Sequence, residues 1–189
     1  MKIKYVTGNQ IKINFAKKQL NKYDIGIEQV KLEIDEIQSE DKFAIAIDKA
    51  KKAFEILKSP LFVTDTFWEI PVLNGFPGAY MKYINKWFSS KDFLALMQNK
   101  ENRTIITNDS IVYIDENGIK RFTDIAIGEI ANEIYKNKTT TDSIDNLVKF
   151  NGKYLTEHHK EDYVNFIVEN DCWSQFAKFL KSKNGDKFL

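Results

Sequence analysis

Apolar positions along this chain recur at two periods, and the alternation between them predicts the order of its elements. Ile3 to Val6 reads as a first strand, ended by Gly8. From Gln10 to Leu20, Ile13, Ala16 and Leu20 fall at helical spacing, with Ile11 and Phe15 beside them. A second strand is expected over Ile25 to Leu32. Ser39 reads as an N-cap with Glu40 and Asp41 in the first turn. The helix that follows carries Phe43, Ala46, Ile47, Ala50, Ala53, Phe54 and Leu57 on one face and ends near Ser59-Pro60. The run Pro60-Leu61-Phe62-Val63 then reads as a buried strand reaching Thr64.

A turn rich in glycine and proline, Asn74 to Gly78, precedes two short helices over Tyr80 to Phe88 and Lys91 to Gln98. Thr104 to Ile114 and Ile119 to Ile130 read as long strands around Asp115-Glu116-Asn117-Gly118, a hairpin signal. Lys136 to Asp142 is a polar loop. Trp173 to Lys181 is a last amphipathic helix, with Asp171 as its cap. The order strand-helix-strand-helix-strand, then a hairpin, predicts a mixed α/β sheet with helices around it.

Composition narrows the classes of function. The 189 residues fit one domain, or one elongated domain with two lobes, and 43% are hydrophobic, enough for a substantial core. Twenty-eight basic and 27 acidic residues give a net charge of +1, so no basic excess points to nucleic acid. No apolar run approaches the roughly 20 residues that cross a bilayer, so no membrane partner is expected. The one cysteine, Cys172, excludes an intramolecular disulfide and a cysteine-cluster zinc site. The N-terminus has too little apolar length for a signal peptide, and a cytoplasmic protein is expected.

Four clusters could carry chemistry. Thr7-Gly8-Asn9-Gln10-Ile11-Lys12 joins the first strand to the first helix; its helix-start amides, Thr7, Asn9 and Lys12 suit a phosphate, though Gly8-Asn9 is also an ordinary turn and cap. Glu36, ahead of the long helix, is one of several acids, any of which could hold magnesium, a hard cation that prefers carboxylate oxygens and phosphates. Lys49 should run its stem along an apolar rim, as a phosphate clamp or a snorkelling surface lysine. Asp65-Thr66 ends the buried strand, where a carboxylate needs a metal, a cation or hydrogen-bond donors. Lys82 follows the turn. His158-His159, placed in a strand, would point to opposite faces and form no zinc pair. Phe67, Trp68, Trp87 and Trp173 are expected in the core.

Together these clusters resemble the inosine triphosphate pyrophosphatase family. Thr7-Gly8-Asn9 with Lys12 is similar to its T-G-N-x-x-K signature, and Glu36-Ile37-Gln38 to its E-x-Q element. Lys49 falls at the spacing of the family's helix lysine. Asp65-Thr66 through Asn74-Gly75-Phe76-Pro77-Gly78-Ala79-Tyr80 resembles D-[ST]-…-G-G-x-P-G-x-Y, and Lys82 has a counterpart. The resemblance implies an elongated α/β fold with a central cleft, a homodimer, and Mg2+-dependent hydrolysis of a nucleoside triphosphate to monophosphate and pyrophosphate. Inosine and xanthosine triphosphates, with their deoxy forms, are the implied substrates. It implies that Glu36 and Asp65 hold the metal and that Asp65 also orients or deprotonates the attacking water. Thr7, Gly8, Asn9, Lys12, Lys49, Thr66 and Lys82 would bind the triphosphate.

The sequence also departs from the family. Thr64 stands where the family has the first of two consecutive acids, and Asn74 replaces a turn glycine, though Asn tolerates positive φ. The aromatic F-G-[YW]-D-P segment is reduced to Asp142-Ser143-Ile144-Asp145, with Asp145 the one counterpart left for substrate binding. The late S-H-R triplet is replaced by Asn170-Asp171-Cys172. Phosphate-facing residues persist and base-facing residues do not, so the base stays open. A non-catalytic nucleotide-binding protein and a hydrolase of another phosphorylated small molecule are the alternatives.

Overall fold

The structure is a computed structural model that describes residues 1–136, 142–160, 171–183 and 185. Its strands are β1 (Lys2–Val6), β2 (Gly26–Val30), β3 (Leu61–Ile70), β4 (Phe76–Gly78), β5 (Thr104–Asp115), β6 (Gly118–Ile130), β7 (Val148–Phe150) and β8 (Lys153–Tyr154). Its helices are α1 (Gln10–Asn21), α2 (Ala44–Leu57), α3 (Met81–Trp87), α4 (Ser90–Leu96), α5 (Leu155–Lys160) and α6 (Cys172–Lys183). The chain divides into two compact units. The first comprises Met1–Asp65, Asp109–Asp124 and Glu169–Leu189; the second comprises Thr66–Asn108 and Ile125–Val168.

In the first unit β1 pairs in parallel with β2, Val6 abreast of Val30, and with β3, Tyr5 abreast of Phe62. Parallel neighbours need crossovers, which α1 and α2 supply. Successive strand residues point to opposite faces, and the core divides accordingly. Tyr5, Phe62, Ile111 and Tyr113 pack with Ile13, Ala16 and Leu20 of α1 and Phe176, Ala177 and Leu180 of α6. Val6, Leu61, Val63, Val112 and Ile114 pack with Ala46, Ala50 and Ala53 of α2. Three alanines at one stripe let that helix lie close to the sheet.

In the second unit β4 runs antiparallel to β3, with Trp68 abreast of Gly78 and Ile70 of Phe76, while β6, β7 and β8 form an antiparallel run. Its core gathers Ile70, Phe93, Met97, Ile105, Ile144 and Leu147. Asn74 sits in the left-handed region at φ 55°, as its side chain permits, and Gly75 and Gly78 also take positive φ. The mixed α/β fold is the one the sequence predicts.

Several elements differ from expectation. The helix expected from Ser39 begins only at Ala44 and has no side-chain cap. Ser39 Oγ accepts from the Asp41 amide and Asp41 Oδ1 from the Phe43 amide, so local side-chain turns occupy the amides a helix would have used. His158 lies in helix α5 rather than a strand, buried at 1% exposure with Nε2 3.0 Å from the Phe150 carbonyl. Trp87, expected in the core, is 71% exposed on α3. The polar loop over 136–142 and the Asn170 position fall largely or wholly outside the described residues. No helix among the described residues is long and apolar enough to cross a membrane.

Candidate active site

The first turn of α1 is built by Asn9. Its Oδ1 accepts from the amides of Ile11 at 2.8 Å and Lys12 at 3.3 Å, and its own amide donates to Thr7 Oγ1 at 3.1 Å. The side chain expected to bind phosphate is therefore the helix cap, and two of the amides expected to do so are already engaged. Gly8 takes no positive φ, and a Cβ there would meet nothing within 4 Å, so an open approach to the backbone is what it contributes. The expected tight-turn role of Gly8 is not what the structure displays.

Lys12 leaves that turn toward the end of β3, where its Nζ donates to the Thr64 carbonyl at 3.3 Å. Burial holds its ammonium pKa below the ordinary lysine value, and the charges acting on it are those of Asp65, Lys49, Asp109 and Glu36. Five of the first unit's charged groups thus share one neighbourhood. Lys49 Nζ and Glu36 Oε1 lie 2.6 Å apart, at 25% and 42% side-chain exposure. Among the acids ahead of α2, Glu36 is thereby singled out, which sequence reasoning without the resemblance leaves undecided. Lys49 spans to a carboxylate rather than merely snorkelling.

Asp65 and Thr64 end the first unit's share of β3. The Thr64 hydroxyl is 2.5 Å from the Tyr5 hydroxyl, and burial pushes the Tyr5 phenol far above its usual pKa. Ser110 Oγ donates to the Asp65 carbonyl at 3.3 Å, which sets β5 beside this strand end. Asp109, the preceding residue of β5, is one of the charges acting on Lys12 and was not singled out by the sequence reading. Its signal was an acid inside a run of β-forming residues, between Thr107 and Ile111, but only the pairing of β5 with β3 gives it a location.

Thr66, Lys82 and Asp145 belong to the second unit. Thr66 follows Asp65 directly on β3. Lys82 is exposed on α3, its Nζ 5.8 Å from the Tyr83 ring centroid. The Asp145 amide donates to Ser143 Oγ at 3.3 Å in a short 3-10 turn. Cys172, with a thiol pushed up by burial, is 1% exposed and fits a packing role.

The donor set around Lys12 consists of hard carboxylate oxygens, which suits Mg2+. Among the described residues no three carboxylate, histidine or thiolate groups form a ready-made metal cage. Mg2+ does not require one, since it is commonly held by one or two carboxylates together with substrate phosphates.

Residues 3–146 match the family described as the Ham1 family. The chain belongs to the Ham1 family. It is 31% identical over 185 residues to an inosine triphosphate pyrophosphatase of Candida glabrata, covering 94% of this chain and 96% of that one. It is 35% identical over 134 residues to a dITP/XTP pyrophosphatase of Methanopyrus kandleri, covering 70% and 71% of the two. A Ham1 protein structure from Coxiella burnetii superposes with a TM-score of 0.78 at 18% identity, over 96% of this chain and 99% of that one. Another from Staphylococcus aureus gives 0.76 at 21% identity, over 97% and 100%. At such identities these two likenesses establish the Ham1 fold alone.

Proposed function

We propose that this Ham1-family chain hydrolyses purine nucleoside triphosphates of the inosine and xanthosine type, ribo or deoxy, to the monophosphate and pyrophosphate, with Mg2+ as cofactor. The observation that carries the reading is the gathering of Lys12, Lys49, Glu36 and Asp65 at the end of β3, in a chain whose relatives bear pyrophosphatase names. Mg2+ bound by Glu36 and Asp65 would neutralise phosphate oxygens and draw charge off the leaving pyrophosphate.

The chain's own residues have separable tasks. Lys12 and Lys49 supply positive charge to the polyphosphate, and Gly8 lets an oxygen approach the backbone. Thr66, Lys82 and Asp145 enter the proposal as substrate-binding residues through the resemblance of their motifs alone. Asp65 orients a water and takes its proton as the oxygen attacks the α-phosphorus. The bond from that phosphorus to the bridging oxygen breaks, and pyrophosphate leaves with the electron pair. A homodimer in the cytoplasm completes the proposal; the exposed pair Tyr83 and Trp87, with ring centroids 6.1 Å apart, is apolar surface of the kind that self-association covers.

The test is pyrophosphate release from a panel of purine and pyrimidine triphosphates with Mg2+, comparing the native chain with Asp65→Asn. A loss of about 10²–10⁴-fold is expected for removal of a general base. Undiminished turnover in Asp65→Asn would remove the site. Thr64 favours a second reading, a nucleotide-binding protein without turnover, which calorimetric binding without pyrophosphate at high Mg2+ would select.

A further inference from the structure

The backbone pairing of β1 with β2 stops at Val6 abreast of Val30, the last residue of β2. One residue on, the Thr7 amide still donates to the Val30 carbonyl at 3.0 Å. A continued parallel ladder would give the Thr7 carbonyl an amide from the next stretch of β2. It takes a side chain instead. Gln29, half-buried on β2, donates from Nε2 to the Thr7 carbonyl at 3.1 Å. A side chain thus adds one rung where the strand itself has ended.

That rung fixes a peptide plane. In a trans peptide the carbonyl and the following N–H point in opposite directions, so a Thr7 carbonyl held toward β2 aims the Gly8 N–H away from it. On the other edge of β1 lies β3, where Lys12 Nζ meets the Thr64 carbonyl at 3.3 Å. Within the turn the amides of Asn9, Ile11 and Lys12 are bonded to side-chain oxygens. Among the described residues the Gly8 amide has no protein partner, and Gly8 is exposed. Glycine also makes this plane easy to turn over, since a flip toward positive φ costs it little. A flip would break the bond from Gln29, and that bond therefore opposes it.

We propose that Gln29 is a positioning residue, which by holding the Thr7 carbonyl toward β2 presents the Gly8 amide as a donor to a phosphate oxygen of the nucleoside triphosphate. This rests on the function proposed above and adds a residue outside every motif that carries the resemblance. Gln29 touches no substrate and acts through Gly8. A backbone N–H donating to a phosphate oxygen is a charge-assisted bond, strong only when the donor is already aimed.

The experiment uses the full chain, Mg2+ and an α,β-methylene analogue of inosine triphosphate that is not cleaved. Calorimetry gives the affinity, and 15N–1H NMR follows the Gly8 amide. Gln29→Met keeps the side-chain length and removes the donor; it should weaken binding by about 10–100-fold, the worth of one hydrogen bond to a charged group. Gln29→Leu, a second replacement without a donor, should do the same. In the native chain the Gly8 amide proton should move downfield on binding, and in Gln29→Met that movement should be lost. A merely structural Gln29 would lower the melting temperature and leave the affinity and the Gly8 response intact well below it. Affinity within twofold of native in both variants overturns the proposal, as does a Gly8 amide that responds alike in native and Gln29→Met chains. Pyrophosphate release from inosine triphosphate by native and Asp65→Asn chains, measured in parallel, separates the two failures. Equal release by both defeats the functional reading itself, whereas release lost in Asp65→Asn with unchanged affinity in Gln29→Met and Gln29→Leu defeats only the role of Gln29.

Discussion

Asn9 holds the first turn of α1 through two amide hydrogen bonds, and its replacement separates folding from binding. Asn9→Ala should cost about 0.5–2 kcal/mol, the usual range for losing a polar N-cap, and thermal denaturation measures it. Asn9→Ser keeps an acceptor at the cap and should restore most of that stability. The same logic applies to Asp115, which is 4% exposed and is paired with Lys183 while accepting from the Tyr113 hydroxyl at 2.9 Å and the Asn117 amide at 2.8 Å. Lys183→Met leaves this buried carboxylate without its cation. Breaking a buried pair costs about 3–5 kcal/mol, and the lower end is expected because Lys183 is 35% exposed. Urea denaturation of Lys183→Met provides the number.

At the start of α6, Asp171 Oδ1 accepts from the Ser174 amide at 2.7 Å, while Asp124 Oδ2 on β6 accepts from the Cys172 amide at 2.7 Å. Burial raises the Asp124 carboxyl above its ordinary pKa, and the Cys172 amide lowers it by less. The folded chain therefore holds a proton that the unfolded chain releases, in the window between about 3.9 and the folded value. Stability should fall as pH rises through that window. Asp124→Asn, which keeps an oxygen acceptor, should flatten this part of a plot of melting temperature against pH. Elements whose signals are local were legible in the sequence: α1 from its apolar stripe, the β5–β6 hairpin from Asn117-Gly118, α6 from Asp171. The start of α2 was not, because Ser39 and Asp41 serve short turns as well as they serve a helix cap. Of the candidate site, Lys12, Lys49, Glu36 and Asp65 could be picked out together only through the resemblance. Asp109, which acts on Lys12, could not, since its place depends on which strand lies beside it, and no spacing along the chain carries that.

Taken over the whole chain, the arginines bear on the base. The sequence contains two. Arg103 donates to the carbonyls of Ile130 at 2.6 Å, Ala131 at 2.7 Å and Met97 at 3.2 Å, all within the second unit. Arg121 stacks on Phe43 in the first unit, 3.8 Å from the ring centroid. Both guanidinium groups are thus committed to the fold, consistent with the missing S-H-R triplet. A site that reads a purine oxygen with a dedicated donor rejects analogues by about 10⁴–10⁵-fold, whereas one without it reaches about 10². The ratio of kcat/KM for inosine over adenosine triphosphate should accordingly stay below about 10² in this chain.

The three tryptophans are dispersed in a way that turns them into separate optical reporters. Trp173 is 9% exposed in the α1 and α6 core, with edge contacts to Phe15 and Phe62, while Trp68 packs at the Phe150 ring of the second unit and Trp87 stands in water. Trp87→Phe would strip away the most exposed emission and leave one fluorophore per unit, Trp173 buried and Trp68 half-buried. Adding Trp68→Phe or Trp173→Phe then yields chains whose emission follows a single unit during denaturation. Coincident midpoints from the two would mean that the units melt together; separated midpoints would assign a stability to each.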